Sequence, residues 1–585
     1  MAKVLEFMKP YAPLLVLVML LLLVEAGCAL VLPGYMANIV EDGVLPGDTA
    51  FIWQTGIKML LITLLSVAAA LVASFLSAKT AVGVANDLRQ AVFKKVLRFS
   101  NAEMDKFNTS SLITRTTNDI TQIQSTMMMV LRQFIYAPVI GIGGIIRAIE
   151  RSPSLTWVIA LALVCMLVIL AILTAMVLPK FKIVQNLIDR LNLVSRENLS
   201  GVLVIRAFGT QNFEKKRFDK ANKELAETNL FVNRAMAFMN PYIVLILNLT
   251  TAIIVWVGAH QVSAFRADVG DIFAFLQYGM LIIFAFIMIS YTFVFLPRAM
   301  VSAARIQEVL DTDFSIKYKE NPVPFPKNFQ GRVEFRNVSF KYGDGGRPQN
   351  TQEQENVLNN INFIAEPGKT TAIIGSTGAG KSTLFNLLLR FYDVNSGAIL
   401  IDGVDIRDVS KKELHGKIGY VSQKAQLFSG NIRSNLQYAD KSATESDIQT
   451  AAEIAQAQNF ILKKPKGYDN EVSQGGANLS GGQKQRLSIA RALVKNAPIY
   501  LFDDCFSALD LKTDAQLRAA LKKKTGKSTM LIVAQRISTI MDAEQILVLE
   551  HGKIVGNGTH AELLKTCEVY KEIAASQLSE EELGV

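Results

Sequence analysis

The hydrophobic positions of this chain fall into two regimes. Through roughly the first 300 residues they form long unbroken runs, and beyond residue 333 they alternate in short stretches with polar ones. Runs at roughly 13–37, 55–77, 127–149, 154–178, 241–262 and 272–296 are each close to the ~20 residues that carry a helix across ~30 Å of hydrocarbon. Six such runs in one half are too many for the core of a soluble protein. They predict a polytopic α-helical membrane domain. The first run is longer than the apolar segment of a signal peptide and lacks a clear small-residue cleavage site.

The connections are uneven. Those after the first, third and fifth runs are short, whereas those after the second and fourth cover roughly 79–126 and 180–235. The long connections hold seven and eleven Lys and Arg, against Arg151 and Arg266 in the short ones after the third and fifth runs. The positive-inside bias places the long connections in the cytosol. With an even number of spans, both termini are cytosolic too. The long connections have few helix breakers, so they predict helices running on beyond the bilayer. Their tips, Asn101–Phe107 and Arg206–Gln211, read as polar turns between helical stretches.

Composition agrees with a membrane chain. Of 585 residues, 50% are hydrophobic and 19% charged, and the mean hydropathy is +0.28. That excludes a disordered protein. The net charge of +10 is accounted for by cytosolic loops, and no nucleic-acid partner is expected. Cys28, Cys165, Cys505 and Cys567 are far apart, which excludes a disulfide scaffold and a zinc site.

After the sixth run the pattern changes. Pro322, Pro324 and Pro326 mark a linker. The division expected is a transmembrane domain over 1–319, a linker over 320–332 and a soluble α/β domain over 333–585. Within the last, the polar stretch Gly343 to Asn356 reads as an exposed loop.

The second half carries the chemistry. Gly375, Ser376, Thr377, Gly378, Ala379, Gly380, Lys381 and Ser382 match GxxxxGK[ST]. An apolar run, Thr371–Ile374, precedes them and a helical stretch beginning at Thr383 follows. In that strand–loop–helix setting the glycines let backbone N–H groups close around phosphates. Lys381 supplies charge to the β- and γ-phosphates, and Ser382 is placed for Mg²⁺. About 120 residues on, Ile499–Asp503 is an apolar strand ending in an acid, with Asp503 the second Mg²⁺ group. Leu479-Ser480-Gly481-Gly482-Gln483 precedes a good helix and exposes amides at its start.

With that last motif the chain resembles the ATP-binding cassette family, whose signature is LSGGQ between a P-loop and a Walker B strand. The resemblance covers essentially the whole chain and implies an exporter-type half-transporter, six helices fused to one α/β P-loop cassette. It implies ATP and Mg²⁺ as cofactors. It also implies roles: Tyr342 stacks on adenine, Gln423 is the Q-loop residue and a Mg²⁺ contact, and Ser507, Ala508, Leu509 and Asp510 form the D-loop.

Two positions depart from the family pattern. The catalytic Glu after the Walker B Asp is here Asp504, and the switch His is here Gln535. Asp is one methylene shorter, about 1.5 Å, and misplacing a catalytic group by ~1 Å can cost ~10²-fold. Gln cannot carry positive charge or pass a proton. Asp504 is therefore expected to be a weak base in a site that binds ATP and hydrolyses it poorly. In this family two cassettes sandwich two ATPs, each between one chain's P-loop and the other's signature. The intact signature then implies a second, non-identical half-transporter that supplies the Glu and His. This resembles the degenerate-site subunit of bacterial heterodimeric multidrug exporters. One further drift is Ser473-Gln474-Gly475, where exporters often carry Gly-Glu-Arg.

The expectation is alternating-access export of hydrophobic or amphipathic compounds across a bacterial plasma (inner) membrane. The alternatives are a lipid flippase and a regulatory ATP-binding membrane subunit. For cargo, the sixth run is aromatic-rich, with Phe284, Met288, Tyr291 and Phe295 on one helical face and Phe275, Tyr278, Ile282 and Phe286 on nearly the opposite one. Glu25, the only acid within the first run, either attracts cationic cargo or bonds a neighbouring helix. Arg132 and Arg147 are expected to snorkel or pair near the ends of the third.

Overall fold

A computed structural model describes residues 2–264, 267–343 and 356–578. Arg266 and residues 344–355 of the polar stretch lie outside these. So do the side chains of Tyr291 and Phe293.

The described residues form two compact units. One comprises Met1–Val96 and Leu112–Asp311, the other Leu97–Ser111 and Thr312–Val585. In the first unit six helical segments are long and apolar enough to cross a membrane: Lys9–Val44, Thr49–Val96, Thr109–Arg151, Pro153–Ser200, Gln211–Ser263 and Val269–Asp311. They are spans 1 to 6 below. Several far exceed the hydrocarbon thickness because, as the scarcity of breakers predicts, the helices continue past the apolar run. Span 2 is one 48-residue helix. Span 3 begins well before its apolar run, its main helix covering Ile120–Arg151.

Spans 3 and 6 pack closely, and small residues allow it. A Cβ on Gly144 would come within 2.8 Å of the Ile282 side chain, and one on Gly141 within 3.6 Å of Ala285 Cβ. The sixth span also settles which of its stripes is core. Phe275, Tyr278 and Ile282 are at most 2% exposed, whereas Phe284 and Met288 are 54% and 36% exposed.

The second unit is an α/β domain. Its main sheet runs Lys553–Gly558, Gln545–Glu550, Thr370–Gly375, Thr529–Val533, Ile499–Asp503, Ile418–Val421. All neighbours are parallel except the first pair. A four-stranded antiparallel sheet (Leu358–Ala365, Val333–Phe340, Ser396–Ile401, Val404–Asp405) packs beside it. The central strands Ile499–Asp503 and Thr529–Val533 are buried at every position. They read as continuous apolar runs because both faces are covered.

The first loop tip differs from the turn expected. Asn101–Phe107 is a short helix whose Ser100 and Glu103 form a reciprocal capping box. It belongs to the cassette unit, where Tyr392 donates a 2.6 Å hydrogen bond to Asp105. The second tip is also partly helical, over Val202–Ala207.

Candidate functional site

Parallel register builds the site. Val533 lies opposite Asp503 on one side and Ile373 on the other. The strands ending in the P-loop, in Asp503 and before Gln535 therefore finish at one edge of the sheet. Ligands of open α/β sheets bind at such carboxyl ends.

The P-loop leaves the central strand at Gly375 and enters the helix Lys381–Leu388. Glycine is required at two of its positions. Gly380 has φ +98°, and a Cβ there would meet the Leu358 side chain at 2.7 Å. A Cβ on Gly375 would lie 2.0 Å from the Leu549 carbonyl oxygen. Lys381 Nζ donates to the carbonyls of Gly375 and Ser376 at 2.8 and 2.7 Å, so the ammonium lies across the loop. Burial pushes its pKa down, against the pull of Asp504 and Asp503. Tyr342 closes one side, its hydroxyl 3.0 Å from that of Thr383, with its ring edge-on to Phe340 and Tyr392.

Ser382 Oγ donates to Asp503 Oδ1 at 2.9 Å. A hydroxyl and a carboxylate brought together by a P-loop helix and an adjacent strand form a hard-oxygen donor pair, which fits Mg²⁺. Gln423 turns its amide away from this pair and donates to Asp504 Oδ2 at 3.2 Å.

Asp504 is the meeting point of the site. Gln535 Nε2 donates to the same Oδ2 at 2.7 Å, and the Asp504 amide bonds the Val533 carbonyl at 2.9 Å. The residue has φ +44°, left-handed backbone that Asp accepts more readily than most side chains. One carboxylate thus ties the Q-loop residue to the switch residue, and one of its oxygens already accepts two amide bonds. Ser507 Oγ bonds the Asp504 carbonyl at 3.0 Å, joining the D-loop to the same point.

Burial raises the pKa of both Asp503 and Asp504, and for Asp503 the neighbouring Asp504 charge adds to the rise. An acid whose folded pKa is raised contributes stability that is full below its unfolded pKa and is lost as pH rises through the folded one. Near neutrality the nucleotide-free cassette therefore carries a penalty for ionising the pair. Asp503→Asn is expected to raise the nucleotide-free melting temperature at pH 7.5, with the gap narrowing as pH falls through the raised pKa into the ordinary carboxylate range, and to remove the added stability given by Mg²⁺-ATP. Thermal unfolding across that range checks it. A lower melting temperature for the variant at pH 7.5 would contradict the sign.

The signature stands apart. Ser480 caps the helix Gly481–Val494 in a capping box with Gln483. Leu479 is buried beneath it. A Cβ on Gly482 would be 3.3 Å from the Ala508 carbonyl of the D-loop, and Asp510 caps the next helix, Leu511–Thr525. Among the described residues no hydrogen bond joins Ser480–Gln483 to the P-loop of the same chain.

Three residues with structural reach were not singled out from sequence. Gln577, after the helix Glu568–Ala575, donates to the Gln535 carbonyl at 2.9 Å and accepts from the Ile537 amide at 2.8 Å, bracing the segment around Gln535. Arg390, buried just past the P-loop helix, stacks on Tyr318 at 4.6 Å and donates to the Lys317 carbonyl at 3.0 Å. Tyr392, two residues on, holds the helix Asn101–Phe107. Only a fold places such distant residues together, so no local pattern announces them.

Comparison with known proteins agrees with this geometry. Residues 15–286 match the family described as ABC transporter transmembrane region, and residues 358–507 that described as ABC transporter. An uncharacterized ABC transporter ATP-binding protein of Mycobacterium tuberculosis is 40% identical over 576 residues, 98% of this chain and 97% of that one. The ATP-dependent lipid A-core flippase of Aromatoleum aromaticum is 30% identical over 607 residues, 99% of this chain and 96% of that one. Among solved structures, a bacterial Atm1-family ABC exporter with ATP bound superposes with a TM-score of 0.78 at 26% identity, covering 97% of this chain and 99% of that one.

Proposed function

The chain belongs to the ATP-binding cassette transporters, as a half-transporter of exporter type, and on that premise we propose that it is one subunit of a two-chain exporter in which its own nucleotide site binds ATP but turns over slowly. One observation carries this reading: the residue after Asp503 is Asp504, and the side chain that reaches it at 2.7 Å is Gln535. A base one methylene short, with an oxygen engaged by two amides, is poorly placed to take a proton from an attacking water. Gln535 holds that carboxylate but offers no titrating group.

The remaining parts are in working order. The P-loop amides and Lys381 would bind the phosphates of ATP, while Ser382 and Asp503 would hold Mg²⁺. Bound Mg²⁺ neutralises charge that develops on the phosphates. The exposed Ser480 and Gly481 start a 14-residue helix, an anion site free to complete the nucleotide site of another chain. A partner carrying Glu and His would thus find what it lacks here.

The cargo is a hydrophobic or amphipathic compound moved by alternating access across a bacterial plasma membrane, with both termini and the cassette cytosolic. The kinship to a lipid flippase favours lipid movement between leaflets as a second reading alongside drug-like cargo.

Coupling needs the second loop tip. Leu199, Leu203, Val204, Phe208 and Phe213 are all at least 60% exposed around it, an apolar surface that a cassette of the second chain would cover. Phe208→Asp is expected to cut ATP-driven transport at least ~10-fold while ATP binding persists. Transport into inverted vesicles, beside nucleotide binding, tests it. Unchanged transport would remove the tip from the coupling path.

The whole reading is tested by ATPase assays of the chain in lipid, alone and co-expressed with a half-transporter of the same organism that has Glu after its Walker B Asp. Turnover that needs both chains supports it.

A further inference from the structure

Inside the membrane region, spans 1 and 3 meet at a charged pair that the ATP chemistry does not use. Glu25 stands near the middle of the Lys9–Val44 span, roughly 24 Å of helix from one end and 28 Å from the other at 1.5 Å per residue. It is 7% exposed, and its Oε2 has no partner among the described residues. Arg132 Nη2 lies 3.8 Å from Glu25 Oε1. Arg132 lies about five residues into the apolar run of span 3, and as the sequence allows it pairs: its guanidinium reaches up to the depth of Glu25.

The two charges are not equally reachable. The side chain of Arg132 is 53% exposed and that of Glu25 9%. At 3.8 Å the contact is electrostatic, not a hydrogen bond, so the guanidinium keeps donors to offer. The reachable charge at this depth is the cation, and the acid behind it is its counter-ion. Of the two sequence readings of Glu25, this goes against attraction of cationic cargo and agrees with contact to a neighbouring helix.

The surroundings fit a cargo path. Thr121, Ser125, Met128 and Arg132 are all exposed and recur at helical spacing on one stripe. Thr121 and Ser125 belong to the cytosolic extension of span 3 and Met128 and Arg132 to its apolar run, so the stripe leads from water into the membrane, where an arginine facing lipid tails is costly. Next to Arg132, Gln133 Oε1 accepts a 3.1 Å bond from Thr292 of span 6, which fixes spans 3 and 6 beside the arginine. The exposed Met128 and Met288 offer adaptable apolar contact.

We propose that Arg132, oriented by Glu25, binds the anionic head of an amphiphilic cargo, a carboxylate or a phosphate, while the methionines accept its chain. This rests on the export reading above. Guanidinium suits both heads because its planar fork matches their paired oxygens.

The test uses the two-chain complex in neutral phosphatidylcholine nanodiscs. Oleate and lysophosphatidate are the anionic probes and dodecyltrimethylammonium the cationic one, read as the concentration that gives half-maximal change in ATPase rate. Arg132→Gln is expected to raise that concentration roughly 10- to 100-fold for the anionic probes, the span expected for a lost charged hydrogen bond. Arg132→Lys should raise it less, and Arg147→Gln, which removes a cation paired with Glu150, should not move it. An unchanged anionic response in Arg132→Gln overturns the proposal. So does a cationic response lost on Glu25→Gln. Loss of the second chain from purified Arg132→Gln would make this face a subunit contact and overturn it as well. If the complex hydrolyses ATP yet neither charge class alters its rate or is moved, the export reading falls first and the proposal with it.

Discussion

Replacing Ser480 with arginine is expected to lower ATP hydrolysis by the two-chain complex at least ~10²-fold while ATP still binds at this chain's own P-loop. Ser480 caps a helix whose first residues, Gly481 and Gly482, present backbone amides without side chains. No heavy atom lies within 4 Å of where a Gly481 Cβ would be, so the surface is open to a nucleotide held elsewhere. A long cationic side chain fills that opening and removes the cap. Losing one preorganised donor at a site of developing charge costs about 10²–10³-fold. Steady-state ATPase, beside ATP binding to the isolated chain, separates the two effects. If this signature instead served a slow site, hydrolysis would fall by less than half.

The second large effect falls on the partner. Changing its Walker B Glu to Gln is expected to cost 10²–10⁴-fold, the usual worth of a general base, whereas Asp504→Asn changes the complex's turnover less than about 3-fold. The converse repairs this chain. With the partner's base removed, Asp504→Glu combined with Gln535→His is expected to raise residual turnover at least ~10-fold. Each change alone should do less, because a lengthened base still lacks its switch group and a histidine still faces a short acid. The repair works against the backbone, since φ at position 504 is +44° and Glu fits there less readily than Asp. The gain should therefore fall short of a native site. Single-turnover measurements on the four combinations decide it. Equal rates across the set would mean that Asp504 and Gln535 do not limit this site.

Much of this was legible in the sequence because the signals are local. Unbroken apolar runs read as spans, since every backbone group in lipid must bond within its own helix. The P-loop spacing read as a strand–loop–helix turn, which is the geometry seen at Thr370–Gly375 and Lys381–Leu388, and LSGGQ read as the start of a helix, as it is. The apolar runs before the P-loop and up to Asp503 read as strands, and both pair in parallel with Thr529–Val533 between them. The cap of Asn101–Phe107 was also readable in principle, as Ser100 with Glu103 three residues on is a capping box, yet the polar composition suggested a turn.

What sequence left open depends on distant residues meeting. The sixth span has two aromatic stripes of equal strength, and only packing against residues of spans 1, 3, 4 and 5 buries Phe275 and Tyr278 while Phe284 is exposed. The sign of the charge in the membrane could not be read from Glu25 alone, because it turns on which partner of a pair is covered. Nor could the knot at Asp504 be read, where Gln423 and Gln535 arrive from 81 and 31 residues away.

The most direct test of the asymmetric site is ATPase activity of this chain in lipid, alone and paired, with Asp504→Asn and the partner's Glu→Gln measured side by side. Near-zero activity alone, strong activity when paired, loss with the partner's Gln and little change with Asp504→Asn are the expected results. Robust turnover by this chain alone, abolished by Asp504→Asn, would make Asp504 a competent base and contradict the asymmetric site.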